Sequence, residues 1–217
     1  MFFSFLISLS IDVTSTSSSA FVEQPDSGQD VTSRCELHVW PAERLDGQAF
    51  YVAFAGGLTI RGRSSDQKIE NAMEDLLSSS SQLNALRGVN LVNELRLAEN
   101  TKIVEHQEAL NRKTVNKIKL RRSQSSSPCY SELIMMEHRL YEDIVWGDRF
   151  QTAFLFRDFG SGSAPMRSFR TTSGNKLKIL TLPEGARPPD AAQQVAAALR
   201  ANFLEYARNA RAGMKAQ

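Results

Sequence analysis

The longest run of patterned apolar positions extends from Cys129 to Phe159. It predicts two long strands joined by a turn at Trp146-Gly147-Asp148. On the first strand, simple alternation places Tyr130, Ile134, Met136, Leu140 and Ile144 on one face. It places Leu133, Met135, Tyr141 and Val145 on the other. A strand that is apolar on both faces belongs inside a sheet covered on both sides. The second strand sets Phe150, Thr152, Phe154 and Phe156 against Ala153, Leu155 and Phe159, with Phe154 and Phe156 as core aromatics.

Other elements follow from shorter patterns. Cys35 to Trp40 alternates, with Cys35, Leu37 and Val39 on one face and His38 and Trp40 on the other, and Pro41 ends the strand. Residues 41–48 read as a loop, and 50–55 as a strand or a buried helix. Ser65 caps a helix carrying Ile69, Met73, Leu76 and Leu77, which the serines at 78–81 end. A second helix holds Leu83 and Leu86 and stops at Gly88. Residues 91–97 fit helix or strand. Lys102–His106 predicts a strand and 107–120 a helix with Leu110, Val115 and Ile118.

Residues 123–128 read as a Ser-rich linker and 160–165 as a loop. Two further strands, 166–172 and 177–182, would be joined by a turn at Ser173-Gly174-Asn175. Asp190 caps a last helix, whose stripe is Val195, Leu199, Phe203, Tyr206 and Ala210.

Together these predict an α+β or α/β fold: a mostly antiparallel sheet of four to six strands, a long central hairpin, helices packed on it, and a closing amphipathic helix. The predicted domain is 35–212. Residues 21–34 are polar and without period, and read as a disordered linker. Residues 1–20 read as a signal peptide: a short apolar run, Phe2 to Ile11, then small residues ending at Ala20. They lack the basic start of such a segment, since no Lys or Arg precedes Arg34. The expected location is therefore periplasmic or exported, and cytoplasmic if the run is not a signal. No stretch has the length of a membrane span.

Cysteine usage bears on the same question. Cys35 and Cys129 are the two cysteines. In an exported chain they suggest a disulfide, and in the cytosol two separate buried thiols. The sequence leaves both open.

Charge narrows the function classes. Formal net charge is +2, too mild to favour nucleic acid. Residues 112–122 nonetheless gather Arg112, Lys113, Lys117, Lys119, Arg121 and Arg122 without one acid. That pattern fits a patch for an anionic polymer or lipid headgroups. It also fits a solvated helix face, which the lack of interleaved aromatics favours.

Candidate chemistry is sparse. His38, His106 and His138 are isolated in sequence and match no metal-ligand spacing. Gly56-Gly57 fits no phosphate-binding motif and reads as a tight turn. His138 is expected in a cross-strand polar pair, and Arg157-Asp158 in a strand-end ion pair. Glu132, Glu142 and Asp143 fit polar strand or turn positions. The sequence offers no catalytic, cofactor-binding or metal-binding residues and no cofactor. Any function in the hairpin is expected at its Tyr141–Asp148 tip.

Three stretches, Cys35-Glu-Leu-His-Val-Trp-Pro-Ala42, Ser127-Pro-Cys-Tyr-Ser-Glu-Leu-Ile134 and Phe154-Leu-Phe-Arg-Asp-Phe-Gly160, resemble a family of exported alphaproteobacterial proteins of the sphingomonad type. The order of elements over 35–212 resembles the periplasmic domains of CsgG, LpoB and the N-terminal part of TolB. That resemblance implies a non-enzymatic envelope scaffold or protein-binding module, with another envelope protein as partner and self-association as a further expectation. No lipobox precedes Cys35, so the resemblance does not carry over lipid anchoring. The alternatives are a binder of an anionic polymer and a small-ligand or metal-binding enzyme.

Overall fold

The computed structural model describes residues 34–43, 45–52, 59–61, 73, 75–143, 149–177 and 189–214. They lie within a unit spanning Thr32–Gln217. Its strands are β1 (Glu36–Trp40), β2 (Leu45–Val52), β3 (Thr59–Arg61), β4 (Lys102–Glu105), β5 (Tyr130–Asp143), β6 (Arg149–Gly160) and β7 (Arg167–Lys176). Its helices are α1 (Ser79–Arg87), α2 (Leu91–Glu94), α3 (Arg112–Lys117) and α4 (Ala191–Met214), with a 3-10 turn at Asp75–Leu77.

The fold is α+β, and β5 is its axis. β6 pairs antiparallel with one edge of β5, and β7 with β6. The other edge of β5 is shared end to end by β1 and β2, both parallel to it. β4 then pairs parallel with β1, and β3 antiparallel with β2. The sheet is thus five strands wide, although seven strands contribute. It is mixed rather than mostly antiparallel. Alternation patterns carry no strand direction, and the long connections from β1 to β4 and β5 are what permit parallel pairing.

Two irregularities set which residues face which way. Five steps lead from Trp40 to Leu45 while β5 takes four, from Ile134 to His138. Pro41 cannot donate to the ladder, and Ala42 instead bridges to Leu110 and donates its N–H to Gln82 Oε1 at 2.8 Å. On the other edge, the β5–β6 register shifts between Met135 and Glu137. A bulge reverses the parity of everything beyond it. Leu140, expected with Ile134 and Met136, therefore joins Leu133 and Met135 on the opposite face.

The larger core lies under the helices. Leu37, Val39, Leu133, Met135, Phe150, Phe154 and Phe156 pack against Leu83 and Leu86 of α1 and Val195, Leu199, Phe203 and Tyr206 of α4. The α4 stripe forms as its spacing predicts, and Ala210 is buried with it. A smaller core lies on the far face, where Leu110 and Val115 cover Trp40, Ile134, Met136 and Leu155.

Several local expectations change. β2 begins at Leu45, inside the expected loop, where pairing to a central strand outweighs local polarity. Ser78 accepts from the Ser81 N–H and starts α1, so the serines begin a helix as well as following one. Residues 91–94 are helical, while α3 spans only 112–117 of the expected 107–120. Asn111 caps α3 through its side chain, and Arg157 takes the carbonyls at its other end.

Ser173-Gly174-Asn175 is not a turn but the interior of β7. A Cβ on Gly174 would meet Gln151 Cγ at 2.5 Å, so glycine admits that side chain. The Gly174 N–H donates to Glu205 of α4, and Asn175 to Asn202 Oδ1 at 2.8 Å. The expected turn at 146–148, the double glycine at 56–57, residues 66–72, the strand beyond 177, the linker 21–33 and residues 1–20 lie outside the described residues.

Candidate functional site

β1, β4 and β5 start at one end of the sheet, and their far face carries a polar–aromatic cluster. Alternation puts Glu36, His38 and Trp40 of β1 on that face beside Tyr130 and Glu132 of β5. The first residue after β4 brings His106. His38 Nδ1 and His106 Nε2 are 2.8 Å apart, and His38 Nε2 is 3.1 Å from Glu36 Oε2. Trp40 and His106 stack with centroids 4.1 Å apart at 4°, and Tyr130 packs on His38 at 4.6 Å.

The cluster has the residue types of a hydrolytic site, but not their order. Ser125 Oγ donates to Glu36 Oε2 at 2.5 Å, so its partner is the carboxylate and not an imidazole. A nucleophilic serine needs the imidazole between itself and the acid. The Ser125 hydrogen bond and His38 hold the Glu36 carboxyl below the usual range, which weakens it as a base. His38 is buried. Among the described residues, no group of three or more His, Cys, Asp or Glu side chains is placed to hold a metal ion.

Deeper in the same face, Glu132 is fully buried. Its Oε1 accepts from the Tyr130 hydroxyl at 3.0 Å and the Arg122 N–H at 2.8 Å. Arg157 lies 3.7 Å from Oε2 and donates to the carbonyls of Ile118 and Val115 at 2.9 and 3.1 Å. Burial raises the Glu132 carboxyl. The Arg157 charge opposes that shift, and its hydrogen bonds fasten the end of α3 to the sheet. Asp158 pairs instead with Arg167, so the expected Arg157–Asp158 pair does not form. Glu137 pairs with Arg112 and Arg139.

The basic segment divides in two. Arg112 is held by Glu137. Arg121 donates to the carbonyls of Gly160 at 2.6 Å and Ser125 at 3.2 Å, with its guanidinium 4.8 Å from the Tyr130 ring centre. Arg122 is half-buried above Glu132 and reaches the Thr114 carbonyl. Lys113, Lys117 and Lys119 are exposed. The Ser-rich stretch is no linker, because Ser125 and Ser127 tie it to Glu36 and to the Arg34 carbonyl.

Cys35 and Cys129 are joined by a disulfide, their Cα atoms 4.7 Å apart. It links the residues just before β1 and β5. His138 makes its cross-strand contact, with Nδ1 3.1 Å from Thr152 Oγ1, and it stacks on Phe150. Its full burial lowers it to about 3, so it is neutral. Of the expected functional tip Tyr141–Asp148, residues 144–148 lie outside the described residues.

The sequence reading missed the outer edge of β4. Among the described residues β4 pairs only with β1. The N–H groups of Lys102 and His106 donate to the Cys35 and Val39 carbonyls at 2.8 and 2.9 Å. Strand alternation then turns the N–H and C=O of Ile103 and Glu105 outward. Beside this edge lies a cleft of about 380 Å³ lined by Val39, Leu83, Leu86, Val89, Leu91 and Ile103. Arg87 and Glu105 form an ion pair at its rim. Ile103 is 40 % exposed. The available signal was Ile103 in a short strand flanked by Lys102 and Glu105.

No family model matches this chain, and no curated protein matches it. Solved structures do match. Hypothetical protein CT253 from Chlamydia trachomatis has a TM-score of 0.35 at 6 % identity, covering 83 % of this chain and 95 % of that chain. Protein XCC0632 from Xanthomonas campestris, of family model DUF330, has a TM-score of 0.33 at 11 % identity, covering 84 % and 87 %. Likeness of this size carries no argument about what this chain does.

Proposed function

We propose that this chain is a non-enzymatic, exported envelope module that binds an extended segment of another protein at the outer edge of β4. The observation that carries this reading is the outward-facing backbone of Ile103 and Glu105 beside the apolar cleft. An added strand would find hydrogen-bonding partners there, and its alternate side chains a pocket. The disulfide supports an oxidising compartment. No helix among the described residues is long and apolar enough to cross a membrane. The buried His38 and carboxylate-bound Ser125 support a binding rather than a catalytic role.

A photo-crosslinking residue in place of Val89, which lines the cleft, tests the reading in cells. Ile103→Pro serves as the block, because it removes an outward N–H without breaking the β1 ladder. The expected result is one discrete adduct that Ile103→Pro abolishes while the melting temperature stays within a few degrees. An adduct indifferent to Ile103→Pro, or one with the mass of two copies of this chain, would sink the reading.

A further inference from the structure

We propose that the end of the sheet where β1 and β5 begin rests on a membrane surface bearing anionic lipids. The segment after α3 runs along the far face to this end, and Arg121 latches it to the β6–β7 turn. The Arg121 N–H donates to the Ser163 carbonyl at 3.3 Å, and its guanidinium to the Gly160 carbonyl. The latch leaves apolar side chains outside: Leu120 is 59 % exposed, Met166 69 % and Ile118 40 %. Met166 lies over Gly160, whose φ of +52° shapes the turn, so it flanks the same latch.

The latched segment and the turn it meets carry charge of one sign. No Asp or Glu occurs from Arg112 to Pro128 or from Phe159 to Arg167. The side chains of Lys113, Lys117 and Lys119 are exposed and make no ion pair among the described residues. The three arginines of the segment are engaged by Glu137, by backbone carbonyls and by burial above Glu132, so these lysines form the outward field. Exposed aliphatic tips among lysines suit the boundary between headgroups and acyl chains, where apolar burial and attraction to anionic lipid act together. They do not suit nucleic acid, which would call for stacking aromatics.

Sedimentation of the full chain with vesicles tests the proposal. Vesicles of phosphatidylcholine alone are compared with vesicles also containing phosphatidylglycerol, at low and moderate salt. The expected result is partition onto the anionic vesicles that weakens as salt rises. Each lysine near the surface contributes about a fivefold effect, so a variant with Gln at 113, 117 and 119 should bind roughly a hundredfold more weakly. Leu120→Ser with Met166→Ser should lose about tenfold. All five positions are exposed, so an unchanged thermal melt verifies the fold, and Ile103→Pro should leave lipid binding intact. Equal partition onto both vesicle types, binding that survives both variants, or no binding would overturn the proposal.

Discussion

His38 Nδ1 lies 2.8 Å from His106 Nε2, with the two rings stacked on Trp40. The Glu36 carboxylate can only accept, so it assigns a proton to His38 Nε2, and Nδ1 then accepts from His106. The contact joins β1 to the end of β4.

Acid should weaken the fold through His106 and His138. Burial, then His38, hold His106 below the ordinary histidine value, and burial alone takes His138 to about 3. Between about 6.5 and those depressed values, the unfolded chain binds protons that the folded chain does not. Their contribution is fully present above about pH 6.5 and is lost as pH falls. Denaturant melts from pH 8 to pH 4 should show decreasing stability, with Trp40 emission changing in the same range. His106→Gln should reduce the slope at its upper end and His138→Leu across the whole window. A stability flat across that range would contradict both assignments.

Reducing the disulfide should cost much of the stability. Cys35 and Cys129 are 94 residues apart, and a loop of that length corresponds to roughly 4–5 kcal/mol in the chain-entropy model. Urea melts with and without a thiol reductant, repeated on Cys129→Ser, measure it. Intact mass spectrometry should find two hydrogens fewer than the free-thiol chain.

Arg157→Met should cost about 3–5 kcal/mol, because it removes a counter-charge of the buried Glu132 and frees the end of α3. Hydrogen exchange should then rise across 112–122. The double variant Arg157→Met, Glu132→Leu should be less destabilised than Arg157→Met alone. If it is more so, the pair is not the source of the effect.

Asn202 is a fully buried polar node of α4, donating to the Phe150 carbonyl at 3.0 Å and Thr152 Oγ1 at 3.2 Å. Asn202→Ala should cost about 1–3 kcal/mol by stranding those acceptors and the Asn175 amide. Tyr206→Phe, which removes one hydroxyl donor to the Phe169 carbonyl, should cost less, about 1 kcal/mol. The order of the two midpoints checks the assignment.

Much of the scaffold is legible along the chain. The β5–β6 hairpin follows from alternation, and α4 from a stripe spaced by whole turns. β1 shows its two faces, and its ending at Pro41, in six residues. What misleads is chemistry that serves another element. Ser173-Gly174-Asn175 has turn composition because α4 and Gln151 approach there. Ser123–Pro128 has linker composition because its hydroxyls hold Glu36 and Arg34. The bulge at Met136 leaves no mark on the sequence, yet it turns Leu140 to the other face.

The chain by itself determines where apolar groups must be buried, since period and spacing are local properties. It thereby settles a sheet with helices packed on it, the central hairpin and the closing helix, while leaving α+β and α/β both open. Only the tertiary structure decides which strands are parallel, that β1 and β2 share one edge of β5, and that β4 pairs only with β1 among the described residues. It alone brings His38 to His106 across 68 residues and separates three structural arginines from three exposed lysines. Those outcomes depend on pairing between segments far apart in sequence, where register and direction are set by the whole sheet and not by any one strand.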